Sequence, residues 1–514
     1  MHSYFRIVNE LDRLLKSALT PDQWNARITK LVKRLEREEA HAIPLLLRKL
    51  RHTQDPGLTS LIVSIVERIE SPTIVEQILE VMRDPSVTDA VKVELLPFLL
   101  RRNVDLSSPH LAGTFKDPRS ILRTLTGWLL DGLAHDEDAI AHIVEDVRQW
   151  DRESQKRWLE NFGERGDERA LPLLATMAES WDVELARMAI ATIARIPSGR
   201  TISALENLFN HREALWGEIE RTLWTLRAMG ISAQPLFPSR GSVRECWITH
   251  MDGTGTQLLL IVREEEAALY DTALFTLNDH HGIVECFSTR RLTAHEVHSV
   301  VAIMRSETPI APVSYEEARA LVRDALFAAR RHRALICPEF AFRRRIFGED
   351  DLSPKEYCPE FPSFLLADVR RQHAELLATS DRLLTLFPFS EWYVETPAAY
   401  EFLARWKLSR AHALPSLTRR IVLAFIEEVL EPEREVLIRR LARTAEFLRH
   451  LIGSRSAHRP IRLWKATLAL WNALCDRRRS LSKIPFFHEL ARVSLLGLLA
   501  NPQRRHDPSP DSQT

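Results

Sequence analysis

The stretch that decides the fold is ALPLLATMAESWDVELARMAIATIARI, residues 170–196. It holds an apolar helical pattern with a proline near its start, a turn centred on Asp182, and a second apolar helical pattern rich in alanine. Aspartate suits this turn because its carboxylate can accept hydrogen bonds from the first N–H groups of the next helix. The stretch therefore predicts two consecutive helices, each with one apolar face.

The same unit occurs earlier in the chain, at residues 42–69, where Asp55-Pro56-Gly57 separates two apolar segments. Asp84-Pro85 and Asp117-Pro118 follow as further turns of this kind. The offset from proline to aspartate is 55 − 44 = 11 residues in this unit and 182 − 172 = 10 residues in 170–196. Because one helix pair buries its apolar face only against neighbouring pairs, the repetition predicts a stacked array.

These units resemble HEAT-type repeats of the armadillo-like superfamily, roughly over residues 40–230. In that family the first helix carries a proline and the turn carries an aspartate, and Pro172 and Asp182 match these positions. The resemblance implies a curved α-solenoid with an extended binding face. It implies no particular ligand.

A different pattern begins near Gly241. Four segments are typical of strands joined by short turns: Val243–His250, Gln257–Val262, Ala268–Leu277 and Ile283–Phe287. The second of them is almost continuously apolar, which predicts burial on both faces of the sheet. Capping boxes at Thr293–Glu296 and Ser314–Glu317 predict two helices. We expect a small α+β module with an antiparallel sheet of about four strands.

The whole chain is predicted to be mainly α. The expected organisation is a HEAT-like helical repeat domain at 1–235, a central α+β module at 241–348, a C-terminal helical region at 350–500, and a disordered tail at 501–514. The C-terminal helices fit either a second array or a bundle. A third capping-box pattern, at Ser353–Glu356, predicts a helix that starts there.

Composition excludes a global electrostatic role, because the 70 lysines and arginines are balanced by 70 acidic residues. The five cysteines are scattered without a CxxC pair, which favours a reducing compartment, and Cys246 and Cys286 are predicted to be buried, unreactive thiols. No apolar run approaches the roughly 20 residues of a membrane helix. We expect a cytoplasmic protein of bacterial type with no membrane partner.

The densest polar cluster lies in two predicted turns of the sheet. The candidate metal ligands are His250, Asp252, Asp279, His280 and His281. Imidazole and carboxylate groups bind divalent metals, and a meander can bring two turns to one edge. The alternative is that these residues simply form the turns, which Asp, Asn and Gly favour. Adjacent histidines on an extended segment also point to opposite faces.

A local excess of positive charge spans residues 436–483, with twelve lysines and arginines against Glu446 and Asp476. The candidates for binding an anionic partner are Arg439, Arg443, Arg462, Lys465, Arg477, Arg478 and Arg479. Such residues on helices bind phosphates, which makes nucleic acid one interpretation. The other interpretation is that they form internal ion pairs or a solvated surface.

Tryptophans recur along the repeat region, at positions 128, 150, 158, 181, 216 and 224. They are either core residues between helix pairs or anchors for a partner. No pattern indicates catalytic residues or a cofactor, so we expect a non-enzymatic protein–protein interaction scaffold or adaptor that binds a protein partner. The alternatives are a nucleic-acid or ribosome-associated factor that uses 436–483, and an enzyme or metal-binding protein with its site at the turns.

Overall fold

The computed structural model describes residues 11, 13–14, 21–37, 39–53, 55–69, 71, 73–102, 104, 113–133, 138–180, 182–210, 212–236, 241–348, 350–406, 408, 417–454 and 458–500. The chain forms two compact units, Met1–His135 and Asp136–Thr514. Within the described ranges, no helix has the length and apolar character needed to cross a bilayer. The tail predicted at 501–514 lies outside them.

The first unit is helical. Its helices are α1 (Pro21–Arg37), α2 (Glu39–His52), α3 (Pro56–Val66), α4 (Ile74–Arg83), α5 (Asp89–Arg101) and α6 (Pro118–Leu133). Asp55 caps α3, since its Oδ1 accepts a hydrogen bond from the Gly57 N–H at 2.9 Å. Helix α2 packs on α4, and α3 packs on α5. Contacts between alternate helices are what stacked helix pairs produce.

The second unit begins with six more helices. They are α7 (Asp138–Arg148), α8 (Arg152–Arg165), α9 (Leu171–Glu179), α10 (Val183–Ile193), α11 (Gly199–Phe209) and α12 (Trp216–Ala228). The predicted cap at Asp182 is confirmed, because its Oδ1 accepts from the Glu184 and Leu185 N–H groups at 2.9 and 3.0 Å. Here too α8 packs on α10, α9 on α11 and α10 on α12.

The central module is an antiparallel sheet with the order β4-β3-β2-β1-β5. Its elements are β1 (Ser242–Thr249), β2 (Thr256–Glu266), β3 (Leu269–Asn278), β4 (Gly282–Leu292), helix α13 (Ala294–Glu307), β5 (Ile310–Val313) and helix α14 (Tyr315–His332). The sheet has five strands, and the expected number of about four was one too few. Strand β5 lies at the edge of the sheet, where it pairs with β1, and it contains Pro312, which an edge strand tolerates.

Helices cover both faces of the sheet. Leu259 and Ile261 of β2 lie in the core that includes α14, whereas Leu260 and Val262 lie in a second core that includes α13. The prediction that this strand is buried on both faces is confirmed. Both predicted capping boxes, at Thr293 and Ser314, are also present.

The C-terminal part of the second unit is mainly helical. Its elements are a short helix α15 (Phe340–Arg343), then α16 (Ser363–Arg371), α17 (His373–Ala378), α18 (Pro397–Arg405), α19 (Arg419–Phe425), α20 (Arg434–Ser454), α21 (His458–Cys475) and α22 (Pro485–Ala500). The sheet and these helices share one apolar core, which runs from Cys246 to Leu499. The second compact unit therefore spans the predicted boundaries at 235–241 and 348–350.

The helix expected at Ser353–Glu356 is absent, since residues 350–362 carry neither helix nor strand. The Ser353 N–H donates to Asp351 Oδ1 at 2.8 Å, and the Ser353 hydroxyl donates to Asp351 Oδ2 at 2.8 Å. Asp351 thus forms a local turn with the serine, and the serine caps no helix. The prediction of a helix start at Ser353 was wrong for this reason.

Candidate functional site

A guanidinium group joins the two turns whose residues were candidates for binding a metal. Arg440 of α20 donates from Nε to Asp279 Oδ2 at 2.7 Å and from Nη2 to Asp279 Oδ1 at 3.0 Å. It also donates to the carbonyl oxygens of Gly253 and Thr254 in the other turn. The side chains of Arg440 and Asp279 are only 13% and 8% exposed. Asp279 is therefore the partner of an arginine whose side chain is mostly buried.

The other candidates in the first turn make local contacts. Asp252 Oδ1 accepts from the N–H groups of Thr254 and Thr256 at 2.8 and 2.9 Å, as a turn-forming aspartate does. His250 is buried, its Nε2 lies 3.1 Å from Glu391 Oε2, and its ring packs edge-on against Phe387. Burial lowers the pKa of His250, which favours the neutral ring.

In the second turn, the ring of His280 lies close to two other imidazoles, with its centroid 3.9 Å from that of His332 and 5.0 Å from that of His281. Burial, and then the charge of His281, lowers the pKa of His280. Across the described ranges, the one group of three His, Cys, Asp or Glu side chains close enough to hold an ion lies elsewhere. The structure thus does not bring the five candidates together as a metal cluster.

That group consists of Glu317, Glu446 and His450, whose ligand atoms lie within 4.8 Å of one another. Glu317 is the capping-box residue of α14, and its Oε1 is 3.3 Å from His450 Nε2. This close contact with His450 is the main reason that the pKa of Glu317 is lowered to about 2. Burial raises the pKa of Glu446, which accepts a hydrogen bond from the Tyr357 hydroxyl at 2.6 Å.

Two arginines already supply positive charge to this group. Arg449 Nη2 lies 3.4 Å from Glu317 Oε1. The buried Arg443 lies with Cζ 4.6 Å from the centre of the Tyr357 ring and donates to Asp324 Oδ2 at 2.6 Å. A divalent cation would meet the repulsion of both guanidinium groups. We interpret the group as an ion-pair network that holds α20 against α14.

Six of the ten cations of the basic segment whose side chains the structure describes form ion pairs within the molecule. Besides Arg443, ion pairs join Arg439 to Glu356 at 3.7 Å, Lys465 to Asp368 at 2.5 Å and Arg477 to Glu435 at 2.6 Å. Arg462 and Arg478 are exposed. Arg479 is half-buried, and its carbonyl oxygen accepts from Arg434 Nη2 at 2.6 Å. This arrangement matches the ion-pair interpretation better than a continuous phosphate-binding face.

The most exposed large apolar side chain in the described ranges is that of Trp224 on α12, at 73%. It borders an open cavity of about 540 Å³. We call this region the Trp224 surface; its main residues are Glu206, Phe209, Glu220, Leu223, Trp224, Arg227, Ala228 and Asp351. In contrast, the ring of the neighbouring Trp216 is fixed within the molecule, because its Nε1–H donates a hydrogen bond to the Phe209 carbonyl oxygen at 2.7 Å. Tryptophan spacing along the sequence did not distinguish these two cases.

The residues that line the Trp224 surface carry three carboxylates and one guanidinium, and Arg323 brings a second guanidinium to Asp351. Arg227 pairs with Glu206 at 2.6 Å, and Asp351 lies 3.2 Å from Arg323. Glu220 is exposed. An apolar centre with a polar rim is a typical arrangement for a protein-binding surface.

A family model described as the Y4lR C-terminal helical domain matches residues 356–497, which include α16 to α21 and most of α22. No curated protein matches the chain. The match associates this helical segment with that domain family, and the family description states no activity.

Proposed function

We propose that the protein is a non-enzymatic scaffold or adaptor, acting in the cytoplasm, that binds a partner protein through the Trp224 surface. The observation that supports this proposal is the exposure of Trp224 beside an open cavity. Tryptophan is enriched among the residues that dominate binding energy in interfaces, because a partner can bury its large ring at a small cost in conformational entropy. Most large apolar side chains of this unit are buried in its core, and Trp224 is the most exposed of the described ones that are not.

The chemistry of the surface indicates the partner. An apolar side chain that enters the cavity beside Leu223 and Phe209 would bury the face of the indole ring. Lysine or arginine residues beside that anchor would meet the exposed Glu220 at the rim. The proposed partner is therefore a protein segment with an apolar anchor flanked by basic residues. Helix pairs in stacked arrays commonly present such extended surfaces.

The test is a selection of random peptides displayed on phage against the full-length protein. We expect enriched peptides to combine an apolar or aromatic residue with flanking lysine or arginine. Trp224→Ala should weaken their binding by roughly 30-fold or more, the loss expected for an interface residue worth 2 kcal/mol or more. Ile303→Ala is the matched control, because Ile303 is also a large exposed apolar residue, at 61%, and lies on α13 outside the Trp224 surface.

The outcome that contradicts the proposal is enrichment of peptides whose binding is unchanged by Trp224→Ala. Folding of the variant is checked by its free energy of unfolding, which should change by less than about 0.5 kcal/mol because the side chain is exposed. For the nucleic-acid alternative, binding of single-stranded RNA that falls steeply with salt and with Arg462→Ala and Arg478→Ala would favour that reading instead.

A further inference from the structure

Two buried thiols lie next to each other at the edge of the sheet. Cys286 is on the edge strand β4, and Cys337 follows α14, with the two Sγ atoms 3.1 Å apart. The backbone holds this pairing in place, because the Cys337 N–H donates to the Ile283 carbonyl on β4 at 2.9 Å. The sequence placed Cys286 in a strand but gave no indication that Cys337, 51 residues further along, would meet it.

Both thiols line a cavity of about 700 Å³. Its wall includes His281, Phe287, Leu335 and Arg343. Phe287 and Leu335 are 56% and 40% exposed, so the cavity opens to solvent at these side chains. A small molecule can therefore reach the thiols although each has little exposed surface itself.

We propose that Cys286 and Cys337 form a reversible disulfide site whose co-reactant is a small disulfide that enters through the cavity. A disulfide bond measures about 2.0 Å, so the sulfur atoms, 3.1 Å apart here, need to approach by roughly 1 Å. This proposal is independent of partner binding at the Trp224 surface.

The reaction proceeds in two exchanges. The Cys337 thiol loses its proton, its thiolate attacks one sulfur of the small disulfide, and one small thiolate leaves. The Cys286 thiol then loses its proton and attacks the Cys337 sulfur of the mixed disulfide, so that the second small thiolate leaves. The two protons end on the two small thiols. The protein pair is oxidised by two electrons, and the small disulfide is reduced.

The order of attack follows from the environment of each thiol. Burial, and then the hydrogen bond with Cys337, raises the pKa of Cys286, which makes its thiolate scarce. Cys337 is the more exposed of the two, at 8% against 4%. Once the mixed disulfide has formed on Cys337, proximity rather than acidity drives the attack of Cys286, because the two sulfurs are already in contact.

A matched control exists in the same sheet. Cys246 on β1 is also buried, and burial raises its pKa to about 12, but the described residues place no second thiol in hydrogen-bond contact with it. Cys246→Ser therefore removes a buried thiol of the sheet without removing either member of the pair.

The experiment equilibrates the full-length protein in glutathione buffers that range from fully reduced to mostly oxidised, followed by acid quenching and mass spectrometry of the intact chain and its peptides. We expect loss of two hydrogen atoms and a cross-linked peptide joining Cys286 to Cys337, reversed by dithiothreitol. Cys246→Ser should behave as the wild type. Cys286→Ser should instead accumulate glutathione on Cys337.

Two outcomes overturn the proposal. In one, both thiols remain free for alkylation after unfolding, even from the most oxidising buffer. In the other, the cross-link joins a different pair, such as Cys358 and Cys475. Because the wild type alone decides between these results, the test stands even if the serine variants fail to fold. As a second measurement, oxidation should raise the melting temperature of the wild type and of Cys246→Ser.

Discussion

Replacement of Arg440 by alanine tests the reasoning about the joined turns most directly. The guanidinium donates to both carboxylate oxygens of Asp279 and to the carbonyl oxygens of Gly253 and Thr254. With only 8% of its side chain exposed, Asp279 would keep a negative charge with little water to stabilise it. Breaking a buried pair by removing one partner costs about 3–5 kcal/mol. We expect Arg440→Ala to lower the free energy of unfolding by that amount.

The assay is urea unfolding followed by tryptophan fluorescence. Of the 12 tryptophans, Trp24 and Trp128 lie in the first unit, so 12 − 2 = 10 report on Asp136–Thr514, which contains Arg440. Arg478→Ala is the control, because Arg478 belongs to the same basic segment but is exposed, and it should change stability by less than about 0.5 kcal/mol.

A second substitution separates the charge from the packing. Asp279→Asn in the Arg440→Ala background removes the uncompensated charge and should restore about 1–3 kcal/mol. A loss of less than about 1 kcal/mol in Arg440→Ala, the value typical of solvated surface pairs, would refute the argument that this pair is buried and joins the turns.

Three further predictions concern stability. The pKa of Glu317 in the folded state is lowered to about 2, so the ionised carboxylate contributes fully to the free energy of unfolding above the unfolded pKa near 4.5. This contribution is lost as the pH falls toward 2. Urea unfolding at several acidic pH values should show that Glu317→Gln loses less stability over this range than the wild type. Burial lowers the pKa of His250, so protonation of its ring destabilises the fold as the pH falls below about 6.5. The melting temperature of the wild type should therefore fall between pH 7 and pH 5, roughly the range in which histidine titrates. His250→Gln should reduce this difference. Phe275 is fully buried against Phe340 and Phe347. Phe275→Ala should lower the free energy of unfolding, measured in urea, by about 3–5 kcal/mol. A decrease below about 1 kcal/mol would instead show that neighbouring core residues move to fill the cavity.

Local signals in the sequence predicted local structure well. Asp182 caps its helix, the capping boxes at Thr293 and Ser314 are formed, and β2 is buried on both faces. Each of these features depends on residues within a few positions of one another, where side-chain chemistry and backbone conformation are directly coupled. The chain is mainly α with a small antiparallel sheet, as the sequence predicted.

The predictions that failed involve either a competing local interaction or a contact between residues far apart in the sequence. Strand β5 was not predicted, and it contains Pro312, which is unusual in a strand. Ser353 was expected to cap a helix, but it donates a hydrogen bond to Asp351 instead. At the turns, Asp279 was considered as a metal ligand, but its partner Arg440 is 161 residues away. Such pairs depend on how helices pack on a sheet, and no local pattern encodes them. The same holds for the thiol pair and for the exposure of Trp224.

The position of α20 has a consequence for the order in which the chain folds during synthesis. This helix contacts β5 and sends Arg440 to the turns of the sheet and Arg443 to α14. Helix α20 ends at Ser454, so the ribosome synthesises a further 454 − 313 = 141 residues between the end of β5 and the end of this helix. Translation adds about 5–20 residues per second, so α20 is complete roughly 7–28 s after the last strand of the sheet. During this interval the apolar face of the sheet that packs against α20 is not covered. Nascent chains that stall before residue 434 should therefore recruit chaperones, and a fragment that ends at residue 348 should aggregate.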